Sequence, residues 1–159
     1  MPVRCWIYEN ALEELVAEAR GWRLRETGGA LLGWRDGMDY VVSQVLGPGP
    51  SAKHRFSSFE PDAEWQGQQG RMIYARSGCT IAYLGDWHSH PRGGATPSRQ
   101  DIDTMSDIAL DPDFRAPAPL SAIAVGSGFF RRRFSCRLYV FVWNGQTLVP
   151  TELEIVETG

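Results

Sequence analysis

Thr80-Ile81-Ala82-Tyr83-Leu84-Gly85-Asp86-Trp87-His88-Ser89-His90-Pro91 is an apolar run that turns polar at its end. Pro91-Arg92-Gly93-Gly94 then breaks it, so Thr80 to His90 reads as a β-strand. Residues two apart on a strand point to the same face, so His88 and His90 present two imidazoles to one point. Trp87 falls between them on the opposite face, where burial of its indole is expected to stiffen the strand. Ser98-Arg99-Gln100-Asp101 follows at what reads as a helix start, eight to eleven residues beyond His90. That is enough chain to turn back, so Asp101 is a candidate third ligand beside His88 and His90. Two histidines and one carboxylate form a ligand set for catalytic zinc, with the fourth position left to water. The Ser98-x-x-Asp101 spacing is equally that of a capping box at a helix N-terminus, a reading that needs no metal.

Outward from this stretch the chain alternates strands and helices. Val3 to Tyr8 predicts a short strand. Asn10, with Glu13 three residues on, predicts an N-cap for a helix carrying Leu12, Leu15, Val16 and Ala19, with Gly21 as its stop. Gly29 to Trp34 and Tyr40 to Leu46 predict a hairpin across Arg35-Asp36-Gly37. Gly47-Pro48-Gly49-Pro50-Ser51 is a loop by composition, and His54 to Phe59 predicts a further strand. Pro61 suits the first turn of a helix whose apolar stripe is Trp65, Met72 and Ile73. Ser98 opens a helix with Ile102, Met105 and Ala109 on one side, ended by Asp111-Pro112. Leu120 to Val125 predicts a buried strand. Phe134 to Trp143 and Gln146 to Ile155 flank Asn144-Gly145, a strong hairpin signal. One sheet with about three helices in mixed order predicts an α/β sandwich. No repeat and no dividing linker is visible, so residues 1–159 are expected to form a single domain.

Composition narrows the function. Nineteen acidic against sixteen basic residues give a net charge of −3, which argues against nucleic acid as a partner. The longest apolar run, Leu138 to Trp143, is far below the roughly 20 residues of a membrane span. The first residues carry no long apolar stretch and do not read as a secretory signal. Three cysteines, Cys5, Cys79 and Cys136, cannot all pair and form no Cys-x-x-Cys, which predicts buried free thiols in a reducing cytoplasm. Fifteen of the sixteen basic residues are arginine, Lys53 being the exception. A GC-rich genome explains that imbalance; so would a protein that handles lysine-linked conjugates.

His88-x-His90, seven residues, Ser98, two residues and Asp101 together resemble the metal-binding signature of the JAMM metalloproteases, carried on the MPN domain. Glu26-Thr27-Gly28-Gly29-Ala30-Leu31-Leu32-Gly33 resembles the glutamate and glycine-rich segment that this family carries upstream. The resemblance runs from about Val3 to Gly126, and it alone picks out Glu26. It implies an MPN-type, cytidine-deaminase-like mixed sheet flanked by about three helices. It implies that His88, His90 and Asp101 ligate Zn²⁺, which lowers the pKa of a water. Glu26 would accept that water's proton and pass it to the leaving amine, and Ser98 would hydrogen-bond the bound water or the developing oxyanion. The reaction implied is amide, peptide or isopeptide hydrolysis, in the family most often at the glycine tail of a ubiquitin-like protein. Short stand-alone members look most like deconjugases of bacterial anti-phage operons, with partners that are ubiquitin-like proteins or targets conjugated by E1 and E2 proteins. Tyr83 to His88 shares the flavour of that group. A zinc peptidase for a sulfur-carrier protein or small substrate, and a metal-free MPN scaffold, are the other readings. Scaffolds usually lose the glutamate, a histidine or the aspartate, and this chain keeps all of them.

A narrow cleft over such a metal admits only backbone beside the scissile carbonyl, which favours glycine, and an extended tail can add to a sheet edge. The loops near Gly47 to Phe59 and Leu110 to Pro119 are expected to border that cleft. Arg131-Arg132-Arg133, beside Phe129-Phe130, is the only basic run and reads as a solvated hairpin end, or as a contact for an acidic partner or nucleic acid. His54 reads as a surface histidine, a substrate contact or a second metal ligand.

Overall fold

The computed structural model describes residues 2–128 and 130–159. Phe129, expected beside the arginine run, and Met1 lie outside them. Strand β1 (Arg4–Tyr8) runs directly into helix α1 (Glu9–Gly21). Asn10 is therefore inside the helix and does not cap it. Tyr8 is the N-cap and makes no side-chain cap bond, while Asn10 Oδ1 accepts the N–H of Ala11 at 2.9 Å. The Glu9 carboxylate places negative charge at the helix N-terminus instead. Ala11, Leu15 and Ala19, at helical spacing, form the buried face of α1.

Strands β2 (Gly28–Asp36) and β3 (Asp39–Leu46) make the expected hairpin. The single strand expected over 54–59 is instead a small hairpin of its own. β4 (Lys53–His54) turns back into β5 (Phe59–Glu60), with the Arg55 N–H donating to Ser58 O at 3.0 Å. Helix α2 (Ala63–Arg76) starts after Asp62, whose side chain accepts the Trp65 N–H. No residue of α2 is fully buried, so its stripe only leans on the sheet. Then come β6 (Ala82–His90), α3 (Arg99–Leu110), β7 (Leu120–Ser127), a short 3-10 turn at Arg131–Arg133, β8 (Ser135–Trp143), β9 (Leu148–Pro150) and β10 (Glu152–Val156).

Eight strands form one mixed sheet in the order β10-β1-β3-β2-β6-β7-β8-β9, and β4-β5 stand apart. The pairs β1–β10, β1–β3 and β6–β7 are parallel; the others are antiparallel. Beyond Asn144-Gly145 the expected return strand changes partner. Residues 148–150 pair with β8, and 152–156 pair with β1 at the far end of the sheet. Strand twist carries the chain from one partner to the other, and Thr151 still donates to Val140 O at 2.9 Å. The two ends of the sheet are thus one residue apart in the chain.

Strand alternation divides the core. On β7, Leu120, Ala122 and Ala124 join Trp87, Leu31, Val42 and α1 in one cluster. Ile123 faces the other way, into Met105 and Ile108 of α3 with Phe141 and Trp143. A third cluster sets Ala30, Leu32 and Leu46 against Ile73 of α2. Trp87 is 1% exposed on the α1 face, and its Nε1–H donates to Leu46 O at 3.0 Å, as the alternation predicts. His88 and His90 therefore face the other side, where α3 begins.

Candidate metal centre

The last residues of β6 are held in place by β2 and by the link that precedes it. Gly28 pairs with His88 and Gly29 with Trp87. A Cβ at Gly29 would collide with the Leu46 carbonyl and stand 2.7 Å from Trp87 Nε1, so only glycine lets β2 approach here. One residue back, Thr27 and Ser89 are joined by three hydrogen bonds, the longest from the Ser89 hydroxyl to Thr27 O at 3.4 Å. The Thr27 N–H donates to Ser89 Oγ at 2.9 Å and the Ser89 N–H to Thr27 O at 2.8 Å. Glu26 sits next to this clasp.

On the other side, the start of α3 uses both readings of Ser98-x-x-Asp101 at once. Asp101 Oδ2 accepts the Ser98 N–H at 2.7 Å, and Ser98 Oγ accepts the Asp101 N–H at 3.1 Å. The capping box orients the carboxylate, and its second oxygen, Oδ1, lies 3.4 Å from His88 Nε2. His88 Nε2 is 3.0 Å from His90 Nε2. One ligand atom each from His88, His90 and Asp101 lie within 4.8 Å of one another.

These three donors fit a zinc ion. Tetrahedral zinc with nitrogen and oxygen ligands at about 2.0–2.1 Å sets its ligand atoms about 3.3 Å apart. His90 Nδ1 is 2.8 Å from Gly94 O. A carbonyl only accepts, so Nδ1 carries the proton and Nε2 presents a lone pair, the tautomer a metal needs. One proton on His88 Nε2 can serve at most one of the two acceptors it faces, whereas a divalent cation serves all three donors.

Glu26 approaches from the fourth side, its Oε1 3.9 Å from His90 Nε2 and its side chain only 15% exposed. Burial raises its pKa above the ordinary carboxylate value; the two imidazoles pull it down and Asp101 pushes it up again. Asp101 goes the opposite way. Burial opposes its charge, but the His88 ring, through hydrogen bond and charge, and the Ser98 N–H and hydroxyl together hold it down at about 2. Two carboxylates in one site are thus driven apart in proton affinity, a pattern that separates a proton carrier from a permanent anion.

The structure brings together all five residues that the sequence singled out: Glu26, His88, His90, Ser98 and Asp101. Sequence reasoning missed Thr27 and Ser89. A small polar residue on the buried face of β6 must find a partner, and that was the available signal. His54 is not part of the ligand cluster; its Nδ1 lies 3.0 Å from the Glu26 carbonyl oxygen. The 53–60 hairpin borders the site, as expected. The loop after α3 does not: Leu120, where that loop ends, pairs with Gly85, five residues before His90, and Phe114 of the loop packs on Tyr83 near the start of β6. α3 runs away from the site and carries the loop with it. Cys5 is buried and Cys136 half-buried, but Cys79 is exposed, against expectation, because it falls in the turn that ends α2.

The family of prokaryotic homologs of the JAB domain matches residues 9–140. The chain belongs to it. This prokaryotic JAB chain is 34% identical over 128 residues to the probable metalloprotease y4qB of Sinorhizobium fredii, covering 79% of this chain and 78% of that protein. It is 29% identical over 125 residues to the CD-NTase/cGAS isopeptidase of Enterobacter hormaechei, covering 76% of this chain and 66% of that protein. The protein of the same description from Escherichia coli is 32% identical over 89 residues, 55% of this chain and 57% of its own length. Among solved structures, protein DSY2949 of Desulfitobacterium hafniense superposes with a TM-score of 0.68 at 24% identity, over 97% of this chain and 94% of that one. At that identity the likeness shows a shared fold and nothing more.

Proposed function

We propose that this JAMM-type hydrolase is a zinc-dependent isopeptidase. It hydrolyses the amide bond after the C-terminal glycine of a ubiquitin-like or conjugated protein, releasing a target or processing a precursor. The observation that carries the reading is the convergence of His88 Nε2, His90 Nε2 and Asp101 Oδ1 beside the Glu26 carboxylate. Zinc held by these three residues supplies a Lewis acid that lowers the pKa of water and polarises the scissile carbonyl. Asp101, held ionised, contributes a permanent negative charge to the ligand set. Glu26, with its raised proton affinity, takes the proton of the attacking water and delivers it to the leaving amine. The Ser98 hydroxyl, which supports the Asp101 carboxylate in the resting site, turns to donate to the developing oxyanion.

The preference for an extended glycine tail is supported by where a free backbone edge lies. The ends of the large sheet run into one another through Thr151. β9 and β10 there each pair on one side only, as β5 does with β4 among the described residues, but the small hairpin is the element joined to Glu26. Its outer edge, next to the site, is open to a tail that adds as a strand. At the tip of this hairpin Phe56 is exposed between Arg25 and Arg92, whose guanidinium carbons lie 4.8 and 5.9 Å from its ring centroid. The relatives described as CD-NTase/cGAS isopeptidases favour a conjugate of that kind of protein, in a bacterial defence setting in the cytoplasm.

The test is intact-mass spectrometry of a ubiquitin-like protein with a C-terminal extension, incubated with zinc-loaded protein. A Glu26→Ala variant and a chelator serve as controls. Cleavage immediately after the tail glycine, lost in both controls, is the expected result. Cleavage that survives either control would defeat the proposal.

A further inference from the structure

We propose that His54 is a positioning residue for Glu26, acting on its backbone; the inference rests on the reading of Glu26 as proton acceptor. Glu26 lies on an irregular link, two residues short of β2, where no strand ladder fixes it. Two consecutive residues at the end of β4 hold it instead. The Glu26 N–H donates to Arg55 O at 2.7 Å, and the Glu26 carbonyl faces His54 Nδ1 at 3.0 Å. A carbonyl cannot donate, so the His54 proton sits on Nδ1 and points at Glu26.

The imidazole is itself held on several sides. It stacks on Trp22, at the end of α1, with 3.5 Å between ring centroids and 6° between planes. Phe59 leans on it at 5.4 Å. The Arg25 guanidinium donates to the His54 carbonyl at 3.2 Å. The end of α1, the small hairpin and the link carrying Glu26 are therefore one unit joined at His54. Because both backbone polar groups of Glu26 are taken by residues 54 and 55, any shift of the hairpin moves the carboxylate relative to His90. A displacement of about 1 Å at a reacting group costs up to about a hundredfold in rate. His54 stands outside the ligand cluster and bonds to the Glu26 backbone, so its effect passes through Glu26.

The amide side chains discriminate this role from simple packing. Asparagine places an N–H near the position of Nδ1, whereas glutamine reaches the position of Nε2. With zinc-loaded protein and the tailed ubiquitin-like substrate, His54→Ala and His54→Gln are expected to lower kcat by about tenfold to a hundredfold. Zinc stoichiometry should stay at its wild-type value, and any rise in KM, from the tail-binding edge moving with the hairpin, should be smaller than the fall in kcat. His54→Asn should recover kcat to within about threefold of wild type. Hydrogen exchange of the Glu26 N–H, read in zinc-loaded protein without substrate, should accelerate at least about tenfold in His54→Ala and return toward wild type in His54→Asn. If either kcat or the Glu26 exchange rate stays at its wild-type value in His54→Ala, the proposal is overturned. A loss carried by KM or by zinc content, or one that asparagine does not repair, overturns it as well. Wild-type protein that binds zinc and cleaves nothing defeats the functional reading instead, and the exchange measurement then decides the role of His54 unaided.

Discussion

Ser89 and Thr27 hold each other across three hydrogen bonds, Thr27 N–H to Ser89 Oγ at 2.9 Å, Ser89 N–H to Thr27 O at 2.8 Å and the Ser89 hydroxyl to Thr27 O at 3.4 Å. Both residues are buried. The pair lies on the face of β6 opposite the two imidazoles and ties the link carrying Glu26 to the strand carrying His88 and His90. The distance between proton acceptor and ligands is set from behind, by residues that touch neither water nor metal.

Ser89→Ala leaves the Thr27 N–H buried with no acceptor. The unmade bond is expected to cost about 1–3 kcal/mol of stability. Urea unfolding should show a lower midpoint with an unchanged slope, and zinc binding should persist, because the ligands are untouched. An unchanged midpoint would show that this clasp carries no weight.

Glu26→Ala removes the proton acceptor and no ligand. The variant should fold, bind zinc as tightly as wild type and lose turnover. Glu26→Gln, which keeps the shape and loses the proton affinity, should be equally inactive. Turnover retained in either variant, measured by mass spectrometry on the tailed substrate, would remove Glu26 from the reaction.

Asp101 has two duties, and Asp101→Asn separates them. The amide oxygen can still accept the Ser98 N–H, so the loss of stability should stay below about 1 kcal/mol. The charge on the ligand set is gone, so zinc affinity should fall by more than about tenfold. Metal content after dialysis reads this directly, and an unchanged value means that the ligand set is wrong. Ser98→Ala should do the reverse, costing about 1 kcal/mol in helix capping while metal is retained.

Cys5 supplies a pH test independent of the site. Burial pushes its thiol from 9.0 up to about 12. The folded protein therefore keeps a proton that the unfolded chain releases between about pH 9 and pH 12, so stability falls as pH rises through that window. The contribution is up to about 1.4 kcal/mol per pH unit. Urea unfolding at pH 8, 9 and 10 should show the decline, and Cys5→Ala should remove part of it. Burial also raises the Cys136 thiol, to about 11. Alkylation at pH 8 should accordingly label exposed Cys79 first, Cys136 slowly and Cys5 only on unfolding. Equal labelling of all three in folded protein would contradict the burial of Cys5.

The elements with strong local signals were legible. The β2–β3 hairpin, the β6 strand and the capped start of α3 follow from alternation, turn residues and cap chemistry, all of which act within a few residues. Two of the failures share one cause. The 54–59 segment turns back between Arg55 and Ser58 while its first two residues bond to the backbone of Glu26, 28 residues from His54. The segment after Gly145 leaves β8 for β1 because the sheet has a partner for it there. Neither partner is visible in the local pattern.

The candidate site divides in the same way. His88 and His90 share a face because side chains on a strand alternate, and Asp101 is oriented by a cap three residues behind it. Both are short-range properties of the backbone and can be read from spacing. Folding alone brought Asp101 Oδ1 to 3.4 Å from His88 and Glu26 to 3.9 Å from His90. It also clasped Thr27 to Ser89, 62 residues along the chain, and set His54 against the Glu26 carbonyl. These contacts depend on which strands become neighbours in the sheet, a choice made by packing of the whole core and encoded in no local period.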